Sequence, residues 1–153
     1  FQSELDILDE DNLGTIHDKM SLLGSELVLK TIDEIEIGNV KPRKQKNELA
    51  SPAPKISNEL GLIDWSKSAT DIHNLIRGLS PFPAAYFIHN DKKYKIFKSK
   101  IVNDISLGSS KIRQTKVDLF FGCGEAAIQI LEIQQEGRKR MDIADFLRGY
   151  SLV

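Results

Sequence analysis

Residues 40–58 separate two parts of this chain, because they show neither the helical nor the strand spacing of apolar side chains. Pro52 and Pro54 favour extended backbone in this segment. A structureless stretch of 19 residues is unusual inside a compact domain. We therefore predict a linker at residues 40–58, between a first part at residues 1–39 and a second part at residues 59–153.

Charge is unevenly distributed along the chain, although the formal net charge is only −1. Residues 1–50 carry six Lys and Arg against eleven Asp and Glu, a net of −5, whereas residues 51–153 carry fifteen against eleven, a net of +4. The linker itself has four cations within the six residues 41–46. The second part and the linker are therefore the candidates for contact with a polyanion.

Composition excludes several kinds of site. The single Cys123 excludes an internal disulfide and a cysteine-based zinc site. The three histidines are scattered, and we expect no pairing between His17 and Asp18, since neighbours on a helix point about 100° apart. The sequence has no Gly-x-Gly-x-x-Gly, P-loop, Gly-x-Ser-x-Gly or His-Glu-x-x-His motif, and no metal site is predicted.

Nothing in the sequence predicts a membrane partner. No run approaches the roughly 18 apolar residues of a transmembrane helix, and no signal peptide opens the chain. A reduced, cytoplasmic setting fits the single cysteine. The chain begins with Phe1 and has no initiator methionine, so we expect it to be a fragment of a longer protein.

The first part is predicted to be helical. Its apolar residues recur at spacings of three and four, as on one face of a helix, and are expected to pack in a core. Gly24 either breaks this region into two helices or is tolerated within one, and Gly38-Asn39 is typical of a helix end. The stripe consists of Leu13, Ile16, Met20, Leu23 and Leu27.

The second part opens with a short amphipathic helix. Ser68 followed by Asp71 resembles a capping box, and proline in the segment Ser80-Pro81-Phe82-Pro83 ends the helix. Between these signals the apolar residues share one face, which we expect to be buried together with Trp65. They are Ile72, Leu75, Ile76 and Leu79.

Short strands follow this helix. Segments 84–89 and 92–102 flank Asn90-Asp91, which is typical of a hairpin turn. Weaker strand signals cover residues 109–115 and 117–122, and a further strand is predicted at residues 126–133. Asp142 is predicted to cap a last helix that runs to Leu147. Several short strands with a helix at either end predict an α+β domain built on a small barrel.

Lysines crowd the strand predicted at residues 92–102. Strict alternation places Lys93 and Lys95 on one face and the remaining three on the other. Because both faces then carry charge, we expect this strand to lie at an edge of the sheet, where lysine discourages unwanted pairing. The remaining three are Lys92, Lys98 and Lys100.

Several sequence patches, in order along the chain, resemble the methionyl-tRNA formyltransferase family. The first resembles the end of that family's catalytic domain, and the others its C-terminal domain. They are Gly14-Thr15-Ile16-His17-Asp18-Lys19; Gly61-x-Ile63-Asp64-Trp65; Ile72-x-x-x-Ile76-Arg77; Pro81-Phe82-Pro83-Ala84; Leu131-Glu132-Ile133-Gln134; Gly137-Arg138-Lys139-Arg140-Met141; and Asp145-Phe146-Leu147-Arg148-Gly149.

The resemblance implies a fold and an activity for the longer protein. It implies an OB-like barrel with flanking helices, preceded by the helical remnant of an α/β, Rossmann-like domain. The implied reaction transfers a formyl group from 10-formyltetrahydrofolate to the amino group of methionyl-initiator-tRNA during translation initiation. The family's catalytic Asn, His and Asp match no residue here, so this fragment is expected to bind no cofactor and to be inactive alone.

The resemblance implies that this chain contributes a tRNA-binding surface. Extended basic backbone and a basic loop suit contact with phosphates. The exposed helical stripe, without the sheet it would normally cover, is expected to associate with a second copy or to be marginally stable. The predicted tRNA-binding residues are Lys41, Arg43, Lys44, Lys46, Lys55, Arg138, Lys139 and Arg140.

Two alternatives remain open at the level of sequence. The first is the C-terminal part of another enzyme that uses 10-formyltetrahydrofolate, such as a formyltetrahydrofolate dehydrogenase or a sugar-amine formyltransferase. The second is a stand-alone OB-type module that binds nucleic acid or protein. The basic linker favours tRNA over the first alternative, and the helical segment before residue 39 argues against the second.

Overall fold

A computed structural model describes residues 1–124 and 126–153, and the chain divides into two compact units. The first unit comprises residues 1–11 and 15–56, and the second comprises residues 12–14 and 57–153.

One long helix, α1, dominates the first unit. It spans Leu13–Glu36 and continues through Gly24, beside which an added methyl group would meet no atom within 4 Å. It ends in a Schellman motif: Gly38, at φ +71°, donates its N–H to Ile35 O, and Asn39 donates to Glu34 O. The helix end predicted at Gly38-Asn39 is therefore confirmed. A short 3-10 turn, Asn47–Leu49, interrupts the extended segment that follows.

A buried carboxylate precedes α1. Asp11 accepts hydrogen bonds from the Lys19 ammonium at 2.7 Å, the Leu8 N–H at 2.9 Å and the Thr15 hydroxyl at 2.8 Å. These donors, with Lys19 first, lower the pKa of Asp11 to about 2. Because the folded-state pKa is depressed, the contacts favour the folded state above the ordinary pKa of about 3.9, and that contribution is lost as the pH falls towards 2.

The apolar stripe of α1 does not form a core within this chain. No α1 residue is buried, and exposed apolar side chains occur from Met20 to Ile35. The prediction of core packing for this stripe is therefore wrong for this chain, because helical spacing reports an apolar face without saying what covers it. Of the predicted stripe, Met20 is exposed, and Leu13, Ile16, Leu23 and Leu27 are half-buried. The other exposed apolar residues of α1 are Leu22, Val28, Leu29, Ile32 and Ile35.

In the second unit, the described residues form one antiparallel six-stranded sheet with helices before and after it. The strand order is β1-β2-β5-β4-β3, and β6 pairs with β5. An α+β domain is thus confirmed. The elements are a 3-10 turn at Glu59–Gly61, α2 (Ala69–Gly78), β1 (Ala85–His89), β2 (Lys92–Val102), β3 (Ile112–Gln114), β4 (Leu119–Cys123), β5 (Ala126–Gln135), β6 (Met141–Asp142) and α3 (Ile143–Leu147).

Helix α2 begins as its cap predicts and covers one face of the sheet. Ser68 Oγ accepts the Asp71 N–H at 3.1 Å, as an N-cap side chain does, and also donates to the Asp71 carboxylate at 2.7 Å. Ile72 and Ile76 are buried where α2 packs on β2 and β5. Trp65 stacks on Phe121 at 4.1 Å between ring centroids. The predicted buried stripe is therefore confirmed, with Leu79 buried and Leu75 half-buried.

The hairpin between β1 and β2 is also confirmed. Asn90 and Asp91 both have positive φ, 48° and 59°, and they connect the paired residues His89 and Lys92. Two central residues with positive φ define the turn whose twist matches that of antiparallel strands.

Strand β2 lies inside the sheet, between β1 and β5, so the prediction of an edge strand is wrong. Its alternation is also interrupted, because Ile96 pairs with Ile133 and Lys98 with Glu132, while the register skips Phe97. After this bulge the side chains that follow change face. A central strand can carry lysines because one face of an antiparallel sheet can remain in solvent.

The end of β4 is crossed closely by the chain that precedes β3. Ser110 donates its N–H to Gly122 O, and Gly122 donates to Lys111 O. These bonds extend the pairing of β3 with β4. The backbone of Leu107 and Gly108 consequently lies against Gly122.

Candidate nucleic-acid interface

In the first unit, the predicted linker cations gather around one open concavity of about 1230 Å³. The chain reverses direction after Gly38 at the end of α1, which brings the linker alongside the last turns of the helix. All four cations are exposed. The concavity is lined by Lys41, Arg43, Lys44 and Lys46, with Lys30, Phe1 and Gln2 among the other residues.

Sequence reasoning missed Lys30 as a member of this cluster. Lys30 is exposed on α1, and its ammonium lies 4.5 Å from the centroid of the Phe1 ring. Arg43 donates to the Gln2 side chain at 3.5 Å. The position of Lys30 beside the linker depends on the chain reversal after Gly38, which residue spacing does not reveal. Lys55 is exposed and does not line the concavity.

In the second unit, the predicted basic loop is the connection between β5 and β6. Gly137 has φ +75°, and Arg138 donates its N–H to Gln135 O at 3.0 Å, which closes a tight turn. The Gln134 amide donates to Arg138 O at 2.7 Å. The Arg138 guanidinium lies 5.6 Å from the ring centroid of Tyr150, and Lys139 is exposed.

Arg140 differs from its neighbours because its charge is already partnered. Its Nε and Nη2 both donate to the Glu132 carboxylate, a two-point contact. The guanidinium also lies 4.3 Å from the ring centroid of Phe97. Arg140 therefore fastens the loop to the sheet, and any phosphate that it contacted would share it with Glu132.

Next to this loop, the outward face of β2 carries lysines that were not among the predicted site residues. The Lys93 ammonium lies 3.7 Å from the ring centroid of Tyr86. Lys93 and Lys95 border a small cavity of about 160 Å³ together with Gln134 and Glu136. The bulge at Phe97 adds Lys98 and Lys100 to the same face.

No arrangement typical of catalysis occurs in the part of the chain that the structure describes. Burial raises the pKa of the Cys123 thiol, which disfavours a nucleophilic thiolate. No group of three metal-binding side chains occurs among the described residues. His17 Nδ1 lies 3.2 Å from the Asp18 carboxylate, so the expectation that they do not pair is wrong, and both are exposed.

Among the helices that the structure describes, none has the length and apolar character needed to cross a membrane.

Comparison with known proteins identifies a family that this chain matches. The family model described as formyl transferase, C-terminal domain, matches residues 55–151. A methionyl-tRNA formyltransferase of Caldanaerobacter subterraneus subsp. tengcongensis is 40% identical over 147 residues, which are 95% of this chain and 48% of that protein. One from Streptococcus thermophilus is 40% identical over 148 residues, 97% of this chain and 48% of that protein. The chain thus spans about half the length of these relatives.

Solved structures share the fold. A variant of HypX from Aquifex aeolicus superposes with a TM-score of 0.63 at 20% identity, over 84% of this chain and 24% of that one. HypX in complex with tetrahydrofolic acid gives 0.62, also at 20% identity, over 80% of this chain and 22% of that one.

Proposed function

This chain belongs to the formyl transferase C-terminal domain family, and we propose that it is the tRNA-handling part of a methionyl-tRNA formyltransferase. The carrying observation is the 40% identity to relatives of that name over 95% of the chain. The proposed activity of the longer protein is transfer of a formyl group from 10-formyltetrahydrofolate to methionyl-initiator-tRNA, in the cytoplasm. HypX, which binds tetrahydrofolic acid, supports a folate-derived donor.

In this proposal, this chain binds tRNA and the remainder of the longer protein catalyses formyl transfer. The α-amino group of the methionyl ester must be neutral to attack the formyl carbon, and the resulting oxyanion must be stabilised. The residues that the resemblance implies for these tasks match none in this sequence, so we propose that these 153 residues do not catalyse transfer. Their role is to hold the tRNA body while its acceptor end reaches the reacting groups.

Domain roles follow from this division. We propose that residues 1–39 are the remnant of a Rossmann-like catalytic domain, that residues 40–58 are a basic linker, and that residues 59–153 are an OB-like tRNA-binding domain. The antiparallel sheet with helices before and after it supports the last assignment.

Phosphate contact is the proposed task of the linker. Its cations are exposed on extended backbone and surround one open concavity, which suits a polyanion that passes along it. Lys55 extends the basic segment, and Arg138 and Lys139 supply free charge in the second unit, with Arg140 holding their loop in place. Such contacts position RNA without reading its sequence.

The test removes the linker charge. We expect the fragment to bind tRNA with strong salt dependence, and the variant K41S/R43S/K44S/K46S to flatten the slope of log K against log[salt] by about 3. Initiator and elongator tRNAs should lose affinity equally, because phosphates are common to both. Filter binding between about 50 and 200 mM salt measures the slope.

A variant with the same charge loss serves as control. K67Q/K92Q/K111Q/K116Q removes four exposed lysines of the second unit and should leave the slope nearly unchanged. Salt-independent binding by the unaltered chain would refute the electrostatic account, whereas absence of tRNA binding would favour an alternative family member without an RNA substrate. Formyl transfer by these 153 residues would contradict the proposed division of labour.

We further infer that the exposed face of α1 either packs on a second copy of the chain or leaves the first unit marginally stable. Its uncovered apolar side chains support this proposal. Hydrogen exchange, read together with analytical ultracentrifugation, tests it: we expect weak protection of α1 in the monomer and stronger protection as a dimer forms. Strong protection of α1 in a proven monomer would contradict it.

A further inference from the structure

We propose that a lysine row on the outward face of β2, formed by Lys93, Lys95, Lys98 and Lys100, is a second phosphate-binding surface for RNA. The row lies in the second unit and is distinct in sequence from the linker cations. This inference rests on the proposed function, since it assigns further contacts to the same class of partner.

The bulge at Phe97 creates the row. Before the bulge, Lys93 and Lys95 alternate with the buried Tyr94 and Ile96. After it, Lys98 and Lys100 alternate with the buried Ser99, which lies 2.9 Å from His73 Nδ1 on α2. Ser99 therefore points toward α2, and the two lysines beside it point away, on the face that Lys93 and Lys95 already occupy. At about 3.3 Å per residue the row extends over roughly 20 Å.

The sheet around the row does not neutralise it. On β1, the residues opposite Lys93 and Lys95 are Ile88 and Tyr86. On β5, the residues opposite Lys95 and Lys100 are Gln134 and Gln129.

The one carboxylate directly opposite the row in the paired strands is Glu132, which pairs with Lys98 in the register. Arg140 binds that carboxylate at two points. Within the described residues, no ion pair joins a lysine of the row to any carboxylate. Glu136 borders the cavity beside Lys93 and Lys95 without such a contact.

These features favour a phosphate backbone over other polyanions. Lysine ammonium groups bind phosphates as point charges, without the two-point geometry of arginine. A linear, evenly charged row matches a linear series of phosphates. Ile88 is the exposed large apolar residue that pairs directly with a lysine of the row. One such side chain offers little apolar area for insertion into a lipid surface.

The experiment removes the row from the full chain. We expect K93Q/K95Q/K98Q/K100Q to flatten the salt slope of tRNA binding by about 3 and to lower the affinity at about 0.1 M salt by tenfold or more. The control K67Q/K92Q/K111Q/K116Q has the same net charge and should change affinity by less than about threefold, because its lysines lie outside the row. Fluorescence of the single Trp65 and thermal unfolding verify that both variants are folded.

If the fourfold variant does not fold, the pairs K93Q/K95Q and K98Q/K100Q should each flatten the slope by about half as much. Equal losses of tRNA affinity in the row variant and the control would contradict the assignment of the lysine row as a phosphate-binding surface. Unchanged tRNA binding in a row variant, while the linker variant loses affinity, would contradict it too. That last result leaves the proposed function intact, whereas absence of tRNA binding by the unaltered chain overturns both. Loss of binding to vesicles containing phosphatidylserine, without loss of tRNA binding, would assign the row to a membrane surface and also overturn the proposal.

Discussion

Replacing Ile76 with alanine is expected to lower the free energy of unfolding of the second unit by about 2–5 kcal/mol. Ile76 is 1% exposed, on the face of α2 that packs against β2 and β5. Truncation removes the transfer free energy of three carbon atoms and leaves a cavity that a close-packed core cannot fill completely. Alanine is the better helix former, so helix propensity slightly offsets this loss.

Ile88 offers a matched control for this substitution. It is 62% exposed on β1, and Ile88→Ala removes the same atoms from a site that buries little area. That change should alter the free energy of unfolding by about 0.5 kcal/mol or less. Urea titration followed by Trp65 fluorescence reports on the core, because the indole stacks on Phe121. A cost below about 1 kcal/mol for Ile76→Ala would show that α2 does not cover the sheet.

Gly122→Ala is expected to destabilise the second unit by about 3 kcal/mol, at the upper end of the usual cost of overpacking. A methyl group on Gly122 would lie 2.2 Å from Gly108 O and 2.7 Å from both Cβ and O of Leu107. Two of these three atoms are backbone atoms of a segment hydrogen-bonded to β4, so relief requires the segment to move.

The control is the same substitution where there is room. An added methyl group on Gly78, the last residue of α2, meets nothing within 4 Å. Gly78→Ala should therefore be neutral or stabilise by up to about 1 kcal/mol. Thermal unfolding of the two variants gives the comparison, and equal midpoints would contradict the close approach at Gly122.

Elements specified by local chemistry could be predicted from the sequence. The Ser68 cap and the stripe that contains Ile76 depend on residues within one or two helical turns. The Asn90-Asp91 hairpin depends on four residues. In these places the residues that determine the local structure are neighbours in the sequence, and the structure agrees with the prediction.

Elements specified by distant neighbours could not be predicted in this way. The place of β2 inside the sheet depends on β5, which lies some thirty residues further along the chain. The close approach at Gly122 depends on a loop that crosses β4 from before β3. Neither relation leaves a periodic signal, because each is set by which segments pair.

The same distinction applies to the candidate interface. Clusters contiguous in sequence, such as residues 41–46 and 138–140, were visible as runs of charge. The partnering of Arg140 by Glu132 and the place of Lys30 beside the linker depend on chain reversals and required the structure.

The bulge at Phe97 makes β2 two half-strands of opposite phase. A regular strand that kept Phe97 would turn Lys98 and Lys100 toward α2 and Ser99 outward. Deleting Phe97 would instead join Ile96 to Lys98 in plain alternation and leave both lysines on the face of Lys93 and Lys95. A transplant of this surface onto a regular strand must therefore omit Phe97 and place Lys98 directly after Ile96.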